Sequence, residues 1–145
     1  MIREVHADLF ELGVDALAHG CNVEGVMNAG IAKAFRHRYP EMFKEYQAYC
    51  KAGLFEPGQV HFYRSRDGLP HVVNIATQAD REGARLEYVA EGLRNVERHY
   101  RDWQISSLAL PQFGCGLGGL EWREVRKVLY EVFKGSGLEV TVALR

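Results

Sequence analysis

Two glycine-rich turns, far apart in the chain, constrain the fold more than any other feature. The first runs His19-Gly20-Cys21-Asn22-Val23-Glu24-Gly25-Val26-Met27-Asn28-Ala29-Gly30-Ile31-Ala32, and the second runs Leu110-Pro111-Gln112-Phe113-Gly114-Cys115-Gly116-Leu117-Gly118-Gly119-Leu120. Each follows an apolar run that reads as a strand, Val14 to Ala18 before the first and Ile105 to Leu110 before the second. Each leads into a helical pattern. A strand, a glycine loop and a helix start together make a ready anion site. Backbone N–H groups point into the turn, glycine lets the backbone come close, and the helix N-terminus adds positive potential. Two such loops can close on the two phosphates of one ligand. Glycine turns at strand ends also occur with no ligand at all, so the motif is a hypothesis until its context is seen. The chain has no GxxxxGK[ST], and no GxGxxG follows the first strand, which argues against a P-loop and against the usual dinucleotide fold.

The rest of the chain supplies the frame. Ile2 to His6 alternates as a short strand, with Asp8-Leu9-Phe10 after it and a turn at Gly13. His19 to Gly30 reads as the first loop. Gly30 to Tyr39 reads as a helix with Ile31, Ala34 and Phe35 inward and Lys33, Arg36, His37 and Arg38 wet. Pro40 breaks it, and Glu41 to Lys51 forms a second helix, with Gly53 as its cap. Gln59 to Arg64 is a half-buried strand, Arg66-Asp67-Gly68 a hairpin-type turn and His71 to Ala76 an apolar strand. Thr77 to Gly83 is a polar loop. Ala84 to Trp103 is the longest helix, Glu121 to Lys134 another, and Leu138 to Leu144 a closing strand. About six strands alternating with about four helices predict a three-layer α/β/α fold, with helices on both faces of a mixed, mostly parallel sheet. In such folds ligands sit beyond the carboxyl ends of the strands, where both loops lie.

A length of 145 residues suits one domain, 1–145. A net charge of −1 argues against a general nucleic-acid binder and leaves a nucleotide ligand open. No stretch approaches a membrane span, and the start Met1-Ile2-Arg3-Glu4 has no signal-peptide pattern, so the expectation is a cytoplasmic monomer with no membrane partner. Cys21, Cys50 and Cys115 have no metal-like spacing, so no metal and no cofactor are expected. Two of these thiols lie in the glycine loops. They read either as small apolar residues or as a catalytic thiol.

The motifs, taken together, resemble a macrodomain. The resemblance covers nearly the whole chain and rests on Ala7-Asp8-Leu9-Phe10, on Cys21-Asn22 with Gly25-Val26-Met27-Asn28-Ala29-Gly30-Ile31-Ala32, on Arg38-Tyr39-Pro40, and on Pro111 through Trp122. It points to the branch holding the terminal ADP-ribose glycohydrolases, the DNA ADP-ribosyl glycohydrolase antitoxins and the fungal-type ADP-ribose 1''-phosphate phosphatases. It implies a six-stranded mixed sheet with ADP-ribose in a cleft above it. By that resemblance Asp8 would accept from the adenine amino group and Leu9 would flank the base. Cys21 would lie in the cleft, and Asn22 would bond the distal ribose. Gly25, Val26, Met27, Asn28, Ala29, Gly30 and Ile31 would wrap the diphosphate together with Gly114, Cys115, Gly116, Leu117 and Gly118. Gln112 would join them, and Phe113 would cover the distal ribose. The plainer readings are a cap or turn residue for Asp8, a turn residue for Asn22 and a core ring for Phe113.

Two departures bear on catalysis. In the hydrolase branch a lysine soon after the strand Val72 to Ala76 bonds the ribose anomeric carbon. That position falls on Gln78, which cannot act as such a nucleophile, and no lysine lies between Lys51 and Lys127. The terminal glycohydrolases carry an Asp after Gly-Cys-Gly-Leu, where this chain has Gly118. Asp80 and Arg81, in the same polar loop as Gln78, are candidates to act through a water or are simply solvated. The phosphatases carry a histidine before Cys-Asn, as His19 does here, and an imidazole there would suit acid or base work. Their further acidic residue has no match in Lys134-Gly135-Ser136-Gly137.

Three functions follow. The chain hydrolyses an ADP-ribose derivative carried on protein or nucleic acid, or an O-acyl-ADP-ribose, or the 1''-phosphate through His19. Alternatively it reads ADP-ribose without turnover. Alternatively it binds another nucleotide or an RNA end.

Overall fold

The structure is a computed structural model and describes residues 1–79, 83–115 and 119–145. Its strands are β1 Ile2–His6, β2 Ala16–Cys21, β3 Val60–Tyr63, β4 His71–Ala76, β5 Ser107–Pro111 and β6 Glu139–Leu144. Its α-helices are α1 Gly30–Arg38, α2 Pro40–Lys51, α3 Leu86–His99 and α4 Trp122–Phe133, and a 3-10 turn spans Leu9–Glu11. The six strands form one sheet in the order β1-β6-β5-β2-β4-β3. Among the described residues only the β3–β4 pairing is antiparallel. The strands therefore point one way except at one edge, and β2 and β5 are neighbours in the middle.

Each face of the sheet is covered because side chains alternate along a strand. From β2, Ala16 and Ala18 enter a core with Val89, Leu93 and Val96 of α3 and Val125, Leu129 and Phe133 of α4. Leu17 and Cys21 enter the opposite core, with Phe35 of α1 and Met42, Phe43 and Tyr46 of α2. The spacing of Val125, Leu129 and Phe133 is one residue per helical turn on a single face, which is why α4 lies flat on the sheet. Gly92 lets α3 approach closely: a Cβ there would stand 2.3 Å from Ile75 Cγ2.

Some boundaries differ from expectation. Pro40 opens α2 rather than merely ending α1, as its fixed φ and missing N–H suit the first helical position. α3 ends at His99 rather than Trp103, and Gln104 follows at φ 60. The largest shift is in β2. The first loop does not begin at His19, because His19, Gly20 and Cys21 stay in the ladder opposite Asn74, Ile75 and Ala76. β4 continues to Ala76 and offers partners that far, so β2 keeps pairing despite its glycine.

Candidate functional site

A cleft of about 930 Å³ opens above the carboxyl ends of the strands, within the range of small-ligand sites. Both glycine loops line it, because they leave from the adjacent strands β2 and β5. Of the residues expected there, Asp8, Leu9, Cys21, Asn22, Val26, Met27, Asn28, Ala29, Gly30 and Ile31 line it, as do Gln78, Gln112, Phe113, Gly114 and Cys115. Gly25 is not among the lining residues. It holds φ +86 in the loop behind them, where Gln47 Nε2 donates to its carbonyl at 3.0 Å. Asp80, Gly116, Leu117 and Gly118 lie outside the described residues.

The first loop is held by its own polar groups. Asn22 Oδ1 accepts from Glu24 N at 3.0 Å and from the Tyr46 hydroxyl at 2.7 Å, and Asn22 Nδ2 donates to the Val26 carbonyl at 3.0 Å. Where the loop enters α1, Ala29 stands at the cap with no side-chain hydrogen bond, and the first turn carries no acidic residue. The first N–H groups of α1 therefore face the cleft without an intrahelical partner or a capping side chain. Such a helix start suits an anion by geometry and by dipole. The second loop turns at Gly114, φ +79, and Leu120 N donates to its carbonyl at 2.7 Å. A Cβ on Gly114 would meet Leu120 Cδ1 at 3.0 Å, so the turn needs glycine for space as well as for φ.

At the β6 side of the cleft, Asp8 caps the 3-10 turn. Its Oδ1 accepts from Phe10 N at 2.9 Å, and the carboxylate is exposed. Arg145 N donates to Gln112 Oε1 at 3.2 Å across that end of the cleft. Phe113 is 4% exposed and belongs to the α3–α4 core, so its ring is a packed wall that also meets the cleft.

His19 is a correction. It does not line the cleft: its side chain is fully buried beneath the floor, with the Phe35 ring stacked on it at 3.8 Å. Burial pulls its pKa down to about 4, against a weaker upward effect of its bond to Asn74. The imidazole is neutral at physiological pH, and Nε2–H donates to Asn74 Oδ1 at 2.7 Å. It has no open face toward a ligand. Burial also raises the pKa of the Cys21 and Cys115 thiols, so both stay protonated at neutral pH, which speaks against a catalytic thiolate. Gln78 does reach the cleft, beside Thr77 at the end of β4. Among the described residues no cluster of three His, Cys, Asp or Glu side chains is placed to hold a metal ion, and no helix is long and apolar enough to cross a membrane.

Sequence reasoning missed part of the lining: Gly20, Thr77, Ala143, Leu144 and Arg145. Gly20 carried a signal in hindsight. A Cβ there would come within 2.8 Å of Thr77 Oγ1, so the glycine admits β4's end rather than making a turn.

The Macro domain family matches residues 18–129. A DNA ADP-ribosyl glycohydrolase of Mycobacterium tuberculosis is 36% identical over 137 residues, which are 92% of this chain and 39% of that protein. The chain thus spans about two-fifths of that relative's length. The macrodomain of Mycobacterium tuberculosis DarG superposes with a TM-score of 0.92 at 33% identity, covering 99% of this chain and 97% of that one. Thermosipho africanus DarTG in complex with ADP-ribose gives a TM-score of 0.90 at 25% identity, covering 99% of this chain and 41% of that one. With its sheet order, its two loops over one cleft and a match across most of its length, this chain belongs to the Macro domain family.

Proposed function

We propose that the cleft binds ADP-ribose and that the chain hydrolyses an ADP-ribosyl adduct, with a nucleobase adduct on DNA as the favoured form. The observation that carries this is the meeting of two glycine-bearing loops and the uncapped start of α1 at one cleft, with a carboxylate at its β6 side. A diphosphate fits the first, and Asp8, an acceptor, fits the adenine amino group. The relatives support the same ligand: one is a DNA ADP-ribosyl glycohydrolase and another holds ADP-ribose. Asn22 then faces the distal ribose with the Nδ2 hydrogen that Val26 does not use.

Gln78 sets the chemistry. Its amide cannot form the covalent bond that a lysine forms, so hydrolysis here proceeds by direct attack of water on the anomeric carbon. Holding the diphosphate and ribose places that carbon and the water together, and orientation alone can supply a large share of the rate. Asp80 is the acid nearest Gln78 in sequence and is proposed as the group that takes the water's proton, while the bond from the anomeric carbon to the nucleobase nitrogen breaks and that nitrogen leaves with the electron pair, to be reprotonated from solvent. Gln78 also supports a second reading, a non-catalytic ADP-ribose reader. Residues 1–145 act, on this proposal, as one cytoplasmic, monomeric domain.

Calorimetry with ADP-ribose tests the binding step, and release of ADP-ribose from ADP-ribosylated DNA and from ADP-ribosylated protein tests turnover. Binding with turnover of DNA supports the first reading. Binding without turnover of either substrate leaves the reader. No binding of ADP-ribose removes both.

A further inference from the structure

Three polar side chains stand in a row across the sheet face covered by α1 and α2, inside a layer that is otherwise apolar. They are His19 of β2, Asn74 of β4 and His61 of β3, which face each other in the strand register. His19 and Asn74 are fully buried, and His61 is 3% exposed. His19 Nε2–H donates to Asn74 Oδ1 at 2.7 Å, Asn74 Nδ2–H donates to His61 Nδ1 at 3.0 Å, and His61 Nε2–H donates to Glu45 Oε1 at 2.8 Å. Asn74 Nδ2 carries two hydrogens and also reaches Met42 Sδ at 3.3 Å, and the row runs in one direction, from His19 to Glu45, with each imidazole donating through Nε2. An apolar trio of similar size would fill the same space with no polar group to desolvate. What the polar row adds is a single geometry.

Both ends of the row lead to the cleft. At the inner end, Cys21 Sγ lies 3.6 Å from His19 Nε2 and 3.6 Å from Asn74 Oδ1. Cys21 lines the cleft, with Gly20 before it and Thr77 and Gln78 at the end of β4. At the outer end stands Glu45 of α2, and the next two residues grip the first loop. The Tyr46 hydroxyl lies 2.7 Å from Asn22 Oδ1 and 2.9 Å from the Asn22 carbonyl, and Gln47 Nε2 donates to the Gly25 carbonyl. The row fixes α2 against three strands, and α2 in turn holds the loop.

We propose that the row His19–Asn74–His61–Glu45 is a positioning device for the cleft: it seats α2 so that Tyr46 and Gln47 hold the first glycine loop in its binding shape before a ligand arrives. None of the four touches the reacting atoms. Their effect is preorganisation, which spares the ligand the ordering of the loop. The proposal rests on the ADP-ribose reading only for the identity of the ligand.

The test uses the full chain, with hydrogen–deuterium exchange of peptides spanning 22–31 and calorimetry with ADP-ribose. His19→Leu removes the inner donor, His19→Gln places an amide N–H where Nε2–H stood, and Glu45→Ala removes the outer, partly exposed acceptor. In His19→Leu and Glu45→Ala, exchange over 22–31 rises about tenfold and ADP-ribose binds about tenfold more weakly, the effect of one buried hydrogen bond. Peptides of α3 and α4 keep their exchange rates. His19→Gln returns both readouts to within about threefold of wild type, which a purely space-filling role would not produce. Unchanged exchange over 22–31 overturns the proposal, as does a His19→Gln variant no better than His19→Leu. Should His19→Leu fail to fold, Glu45→Ala decides alone. Should wild type not bind ADP-ribose, the ligand reading falls while the exchange measurement still decides the row.

Discussion

Gly20→Ala separates the shape of the cleft from the stability of the fold. The backbone at Gly20 is ordinary extended strand, so alanine is not excluded by φ. The obstacle is space. The added Cβ would stand 2.8 Å from Thr77 Oγ1, 3.0 Å from Thr77 Cγ2 and 3.5 Å from Phe113 Cδ2. Rotating Thr77 exchanges one clash for the other, since both branches face the new atom and a β-branched side chain is stiff. Its backbone is pinned on both sides: Thr77 N donates to Cys21 O at 3.0 Å, and Thr77 O accepts from Arg85 N at 3.0 Å. An ordinary contact needs a retreat of about half an ångström, which the ends of β2 and β4 share. Overpacking of this kind costs about 1–3 kcal/mol. For a chain of this size that lowers Tm by about 3–10 °C. Gln78 moves with Thr77, so ADP-ribose affinity falls about tenfold, or about 1.4 kcal/mol. Gly92→Ala is the control. Its Cβ would meet Ile75 Cγ2 at 2.3 Å on the same face of the sheet as the Gly20 Cβ, and neither Gly92 nor Ile75 lines the cleft. It costs as much stability and leaves affinity within about twofold. Thermal melts and calorimetry on both variants decide. Unchanged affinity in Gly20→Ala, or an equal loss in Gly92→Ala, would refute the reasoning, because affinity would then not depend on the cleft floor.

Other outcomes follow from the same geometry. Asp8→Ala weakens ADP-ribose binding about tenfold but leaves ribose 5-phosphate binding unchanged, since the adenine contact is the one lost; an equal loss for both ligands in calorimetry contradicts the adenine assignment. Gln78→Lys restores a side chain able to attack the anomeric carbon, and single-turnover assays on ADP-ribosylated DNA should show a rate at least about tenfold above wild type; no gain would place the reacting carbon away from Gln78. His19, in the buried row, makes the fold acid-sensitive. Its folded pKa, about 4, lies below the unfolded value of 6.5, so the unfolded chain takes up a proton first and stability falls as pH drops through that window. Between pH 7.5 and pH 5 the loss is about 2 kcal/mol, read from urea midpoints. His19→Gln should flatten that dependence, and an unaltered slope would mean another group carries it.

How much of this was legible in the sequence depended on the range of the information. Strand, loop and helix are local patterns, so the layers, the mixed, mostly parallel character of the sheet and both loops could be read directly, whereas the placing of its one antiparallel pairing at an edge could not. That the loops share one cleft also followed, because two glycine loops at strand ends of one parallel sheet must face the same side. The fate of His19 was not local. His-Gly-Cys reads as the start of a turn, and only the partner strand, which runs on to Ala76, keeps those residues in the ladder. The buried row joins residues 55 and 13 positions apart, and no spacing rule announces it. The Ala143–Arg145 wall likewise depends on β6 lying between β1 and β5, which strand order decides and sequence does not show.

The competing readings of single residues also prove less exclusive than they look in sequence. Asn22 was either a turn residue or a ribose contact, and Asp8 either a cap or an adenine contact. Each does the first of these visibly, Asn22 through Glu24, Val26 and Tyr46, and Asp8 through Phe10 N. Each also lines the cleft with capacity left over, one Nδ2 hydrogen on Asn22 and the Oδ2 lone pairs on Asp8. A side chain already fixed by its own turn offers that remaining atom in one orientation, so little side-chain entropy is lost when a ligand meets it. In a loop-built cleft of this kind the bond that shapes the turn is therefore what makes the residue a good contact, and a residue with only the ligand to hold it would be the weaker candidate.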